Sequence, residues 1–217
     1  MDQKTSFLHG LAWAVSVVFH PIFLFTWLVY LITIYFPDLL IPIATSGFAN
    51  LILVALIGTA IVPSLIVCLY MVLVKKQIKI QALFMLNKED RQIPLIFLAT
   101  YYTSLSYMLF MGLNNILYII MVALVGLILF IGIVNFFWKI SNHAAGMGAA
   151  LGVLLLLNLT DIQHDILIPV LTTLVVSGLV LSARLFLNAH KPKEVYLGYL
   201  SGIITCSLIL SGFYFFQ

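Results

Sequence analysis

Charge is what this sequence lacks. Of 217 residues, ten are Lys or Arg and seven are Asp or Glu, so charged side chains make up 8% of the chain, where a soluble domain carries roughly 25%. So few charges cannot cover a water-exposed surface, which excludes an ordinary soluble fold. With 64% hydrophobic residues and a mean hydropathy of +1.20, the solvent for most of the chain must be lipid. Apolar–polar alternation is missing too. A transmembrane barrel is written in strands of about ten alternating residues. The apolar runs here continue for roughly twenty or more, the length at which a helix crosses a hydrocarbon core of ~30 Å. In lipid every backbone N–H and C=O needs an internal partner, so helices remain. The expected fold class is all-α, a polytopic bundle of about seven transmembrane helices.

Other absences narrow the organisation. The first apolar run, Leu8 to Phe36, is too long for the ~7–15-residue apolar block of a cleaved signal peptide, so it is expected to stay as the first span. Cysteine is scarce: Cys68 and Cys206 both lie in apolar runs and read as small packing residues. No low-complexity linker interrupts the chain. A single transmembrane domain over 1–217 is expected, with a motif-bearing core at about 80–216.

Hydropathy places the spans at 8–36, 50–74, 93–112, 115–137, 143–159, 166–188 and 195–216. Their breaks are chemically sensible. Phe36-Pro37-Asp38 closes the first, Gly112 to Asn115 makes a tight turn between the third and fourth, and Asp161 to Asp165 separates the fifth and sixth. Pro192 stands near the start of the last span, where its missing N–H costs nothing. On this topology all ten cations fall on one side: Lys4, Lys75, Lys76, Lys79, Lys88, Arg91, Lys139, Arg184, Lys191 and Lys193. The opposite connections carry Asp38, Asp161 and Asp165. The positive-inside rule assigns the basic side to the cytoplasm, and the expected location is the cell (inner) membrane, crossed many times.

Three polar clusters land on that basic side. They are Lys88-Glu89-Asp90-Arg91 before Pro94; Ser141-Asn142-His143 before a run of small residues; and Arg184, His190 and Glu194. Ionisable groups near membrane depth are costly and usually mark a functional site. Arginine's planar fork suits phosphate oxygens. His143 and His190 both fall at helix N-termini, which favour bound anions. Two histidines beside an anion site suggest one nucleophile and one proton donor, and Glu194 could hold the His190 ring as the acid of a triad does. The pattern points to phosphoryl transfer through a phosphohistidine, with no metal and no other cofactor required.

The second and third clusters resemble motifs of the type 2 phosphatidic acid phosphatase superfamily, membrane lipid-phosphate phosphatases related to vanadium haloperoxidases. Where that family has Pro-Ser-Gly-His, this chain has Ile140-Ser141-Asn142-His143. Where it has Ser-Arg, five residues, His, three residues and Asp, this chain has Ala183-Arg184, five residues, His190, three residues and Glu194. The resemblance implies that His190 is the nucleophile, Glu194 its orienting partner and His143 the acid for the leaving group. It also implies that Arg184 binds phosphate, with Ser141 assisting, and that Lys88 and Arg91 add to that anion site. The family's first motif spaces its Lys and Arg seven apart, whereas Lys88 and Arg91 are three apart, so the match is mainly over 139–202. A six-helix phosphatase-like core is the fold it implies.

Blander readings stand beside these. Arg184 alone could snorkel from the end of its span, and Lys88 and Arg91 could be topogenic charges in a loop. His9 and His20 lie in the first span away from any cluster and read as structural, with His20-Pro21 marking a kink. Gly148 and Gly152, and Gly198 and Gly202, are spaced four apart, which lets helix backbones approach closely. That spacing either sets the fifth span against the seventh, and so His143 against His190, or packs subunits. The expected partner is a membrane lipid, a lipid phosphate being the substrate, with no nucleic acid; a homo-oligomer or a membrane-complex partner is compatible. The alternative function is a non-catalytic lipid-binding, transport or assembly subunit on the same fold.

Overall fold

The computed structural model describes residues 3–41, 47–73, 92–111, 115–160 and 166–215. These are helical almost throughout, in the order α1 (Gln3–Val18), α2 (Leu24–Tyr35), α3 (Phe48–Leu56), α4 (Val62–Leu73), α5 (Gln92–Met111), α6 (Asn115–Phe137), α7 (Asn142–Thr160), α8 (Leu167–Phe186) and α9 (Pro192–Phe215). No strand occurs among the described residues. The chain is an all-α, multi-pass membrane protein. Among the described residues, six segments are long and apolar enough to span: Ser6–Tyr35, Phe48–Leu73, Gln92–Met111, Ile116–Phe137, Leu167–Phe186 and Pro192–Phe213. The remaining expected span is a shorter apolar helix, Asn142–Leu157.

Prolines set the interruptions. His20 precedes Pro21, and a residue before proline is pushed out of the helical region. Its backbone is extended (φ −64°, ψ 138°), and a 3-10 turn, Pro21–Phe23, restarts the chain into α2. The kink expected at this dipeptide is present. Phe36 before Pro37 ends α2 in the same way, and a second 3-10 turn follows over Pro37–Leu40. The second span is broken differently: α3 and α4 are joined by a π-helical stretch, Ile57–Ile61, a wider turn that leaves carbonyls for other partners. Tyr101 Oη donates to the Gly58 carbonyl at 2.7 Å and Tyr102 Oη to the Thr59 carbonyl at 2.6 Å.

The best-packed part of the bundle joins α7 and α9, which run parallel. A Cβ on Gly152 would sit 2.8 Å from the Ile203 carbonyl oxygen, and one on Gly198 2.8 Å from that of Ser141. Cβ atoms on Gly148 and Gly202 would run into the backbones of Tyr199 and Ala145. The four glycines therefore pack two helices of one chain, the first of the two readings the spacing allowed. Leu28, Ile32, Ile120, Leu154, Leu157 and Leu210 close the core around this pair. Outward, Val54, Leu65, Ile96, Ile133, Val175 and Leu208 are exposed, as a surface solvated by hydrocarbon chains requires.

Candidate active site

The second and third clusters meet where α7 and α9 begin and α8 ends. Each is held by a helix-terminal motif that its own sequence specifies. Ser141 is the N-cap of α7: its Oγ accepts from the Ala144 N–H at 3.4 Å. The Ser141 N–H donates to the Glu194 carbonyl at 3.0 Å, tying the start of α7 to the first turn of α9. His143 follows two residues after the cap and is buried.

Helix α8 closes with Asn188 in the left-handed region (φ 50°), which Asn tolerates better than most residues. The Ala189 N–H reaches back to the Arg184 carbonyl and the Asn188 N–H to that of Leu185, the paired bonds of a Schellman motif. Arg184 is thereby fixed three residues inside the helix end, and the chain is turned so that His190 follows at once. Lys139 Nζ donates to the Ala189 carbonyl at 3.3 Å, holding the same loop from the end of α6.

Pro192 opens α9, and Glu194 lies in its first turn. The Glu194 carboxylate takes two donors on one oxygen. His190 Nδ1–H donates to Oε2 at 2.9 Å and the Lys191 N–H to the same atom at 3.3 Å. The second bond is the backward half of a capping box. The first assigns the neutral ring its tautomer: the proton sits on Nδ1 and the lone pair on Nε2. On the His143 ring, Nε2 lies 3.0 Å from the Ser16 carbonyl oxygen of α1. A carbonyl only accepts, so Nε2 carries a proton, and the atom left to give or take one is Nδ1.

His143, Arg184 and His190 share a cavity of about 340 Å³, within the roughly 300–1,000 Å³ usual for small-molecule sites. Asn142, His143, Arg184 and His190 form one polar end, with His20 beside them. Leu95, Leu98, Leu124, Leu127, Ile128 and Ile131 of α5 and α6 make an apolar wall. Arg184 and His190 are near enough to act electrostatically on His143. Arg184 is 5% exposed, so it turns into the bundle and does not snorkel. Ser141 and Glu194 stand behind the cavity wall, supporting its residues. Lys88 and Arg91 lie outside the described residues, as do the Gly112–Asn114 turn, Asp161 to Asp165 and the lysines at 75, 76 and 79.

One residue of the cavity was passed over by sequence reasoning. His20 is not remote from the clusters: its ring stands edge-on to His143 with centroids 4.9 Å apart, and Arg184 acts on it electrostatically. The available signal was the His-Pro break, which stops α1 at the depth where α7 begins. A second, mostly apolar cleft of about 200 Å³ runs between α2, α7 and α8 and meets the first at His20 and His143.

No family model matches this chain, and no curated protein or solved structure matches it either.

Proposed function

We propose that this protein is an integral membrane phosphatase that hydrolyses a lipid phosphate or diphosphate through a phosphohistidine intermediate. Its site lies at the basic end of the bundle, which the positive-inside rule assigns to the cytoplasmic side of the cell membrane. One observation carries the reading: a buried arginine and the His143 and His190 imidazoles line a cavity whose remaining lining is mostly apolar. An anionic head group suits the first part and a hydrocarbon tail the second.

In the proposed reaction His190 Nε2 attacks phosphorus while the bond to the lipid oxygen breaks. The Glu194 carboxylate holds Nδ1–H throughout, as the acid of a triad holds its imidazole. His143 Nδ1 supplies the proton that the departing oxygen needs, and the Ser16 carbonyl keeps Nε2–H in place. Water then attacks phosphorus, returns a proton to His143 Nδ1 and releases His190 with inorganic phosphate. Arg184 balances charge on the phosphoryl oxygens.

The second reading is a non-catalytic lipid-binding subunit. It draws on the double duty of Glu194, whose bond to the Lys191 N–H would be kept for helix capping alone. Phosphate release from purified protein decides between them, screened over phosphatidate, phosphatidylglycerol phosphate and prenyl diphosphates. The enzyme reading expects release by wild type and a loss on the order of 10³-fold or more in His190→Ala, with the thermal midpoint kept. Equal release by both proteins rejects His190 as nucleophile, and no release by wild type from any substrate favours the binding subunit.

A further inference from the structure

The motif-bearing helices do not build the cavity alone. His20 belongs to the first span, far from them in sequence, yet it lines both the main cavity and the apolar cleft beside it. Its ring is held on two sides. Nδ1 accepts from the Ile22 N–H at 3.3 Å, capping the 3-10 turn, and His143 meets the ring edge-on. An Nδ1 that accepts carries no proton. The ring is therefore neutral with its hydrogen on Nε2, so His20 lines the cavity as an N–H donor without a charge. An imidazolium here would set two donors, Nδ1–H and the Ile22 N–H, against each other.

We infer that His20 is a phosphate-binding residue, donating Nε2–H to a phosphoryl oxygen of the lipid head group opposite Arg184. The assignment rests on the reading of the cavity as a lipid-phosphate site and adds to it a contact from outside the motif-bearing core. It also gives the His-Pro break a purpose. An unbroken first helix would leave no place for the Ile22 N–H to fix the ring. A neutral donor serves a buried site well, because it adds a hydrogen bond to the anion without a further cation to desolvate.

The test is binding, measured with phosphatidate and with diacylglycerol of the same chains in detergent micelles. His20→Phe keeps a flat ring against His143 and removes the donor, while His20→Gln keeps an N–H donor at a similar reach. His20→Phe is expected to bind phosphatidate about tenfold more weakly, the worth of one good hydrogen bond to a charged group. Diacylglycerol binding should stay as in wild type, and His20→Gln should recover most of the loss. Folded His20→Phe that holds phosphatidate as tightly as wild type overturns the assignment, as does an equal loss for both lipids. Should His20→Phe fail to fold, wild-type protein labelled with ¹⁵N-histidine still decides. Phosphatidate must shift the His20 Nε2 resonance and leave Nδ1 in its acceptor range, and an unmoved Nε2 overturns the proposal. Phosphatidate binding that depends on His20 in a protein releasing no phosphate would uphold this residue's role and reject hydrolysis.

Discussion

Between α7 and α9, glycine removes side chains until backbone meets backbone, with Gly148, Gly152, Gly198 and Gly202 all facing carbonyls or amides of the partner helix. Between α2, the π-broken second span and α5, the helices are joined instead by hydroxyls. The Thr26 and Thr59 oxygens lie 3.4 Å apart, and Tyr101 and Tyr102 donate to carbonyls of the π-helical stretch. In lipid there is no hydrophobic drive to bring helices together, so association depends on close packing or on polar bonds. The chain uses one device in each half. Packing without side chains has one register, and it holds the residues that the proposed reaction needs in fixed geometry: His143 two residues into α7 and His190 just ahead of α9. The hydroxyl-bonded helices include α5, which supplies part of the apolar wall, where the proposed reaction needs a hydrocarbon tail accommodated rather than aligned.

That division can be sharpened by experiments ordered by the size of effect. Glu194→Gln should be the largest among them. The amide can still accept from the Lys191 N–H, so the α9 cap survives, but the charge that fixes His190 Nδ1–H is gone. Phosphate release is expected to fall by about 10²-fold or more, toward the loss that amide replacement causes in a triad, with little change in the thermal midpoint. A matching fall in stability and activity would mean that Glu194 only caps. Gly202→Ala comes next: its Cβ would collide with the Ala145 carbonyl. Overpacking of about 1–3 kcal/mol is expected, read as a lowered unfolding midpoint together with lost activity, while Gly10→Ala, which meets nothing, should be silent.

Smaller still is Tyr102→Phe, which removes one interhelical bond to the π-helical stretch. Such bonds in membranes are worth about 0.6 kcal/mol on average and up to ~1.7, so thermal unfolding in detergent should detect a modest loss with the rate of phosphate release nearly unchanged. A large loss of activity here would erase the distinction between the two halves. The pH profile bears on the aligned half alone. His190 must be neutral to attack and His143 protonated to donate, so release should fall on both the acid and the alkaline side. A flat profile across the histidine range would count against that pairing.

Much of this arrangement can be read without coordinates, for identifiable reasons. Spans are legible because lipid imposes long apolar runs, and their ends because Phe36-Pro37 and Pro192 punctuate them. Glycines four apart announce a close helix pair, although spacing alone leaves open whether the partner lies in the same chain. The His190–Glu194 contact is legible as an i, i+4 pair at a helix start. His20 was hidden because its neighbours come from α7 and α8, and no local pattern encodes contact across the bundle. The inward turn of Arg184 was hidden for a related reason: its place near the end of α8 suits snorkelling equally well, and only the Schellman turn beyond it decides the geometry. The π-helical stretch at Ile57–Ile61 has no signature in the sequence, since Gly58 and Thr59 sit within one continuous apolar run.

The central claim is that His190 takes the phosphoryl group from a lipid, and rapid-quench trapping with ³²P-labelled phosphatidate tests it most directly. Label that is stable to alkali, labile to acid and mapped to residue 190 is the expected result, with none in His190→Ala. Phosphate released at full rate with no labelled histidine at any time point would contradict the account.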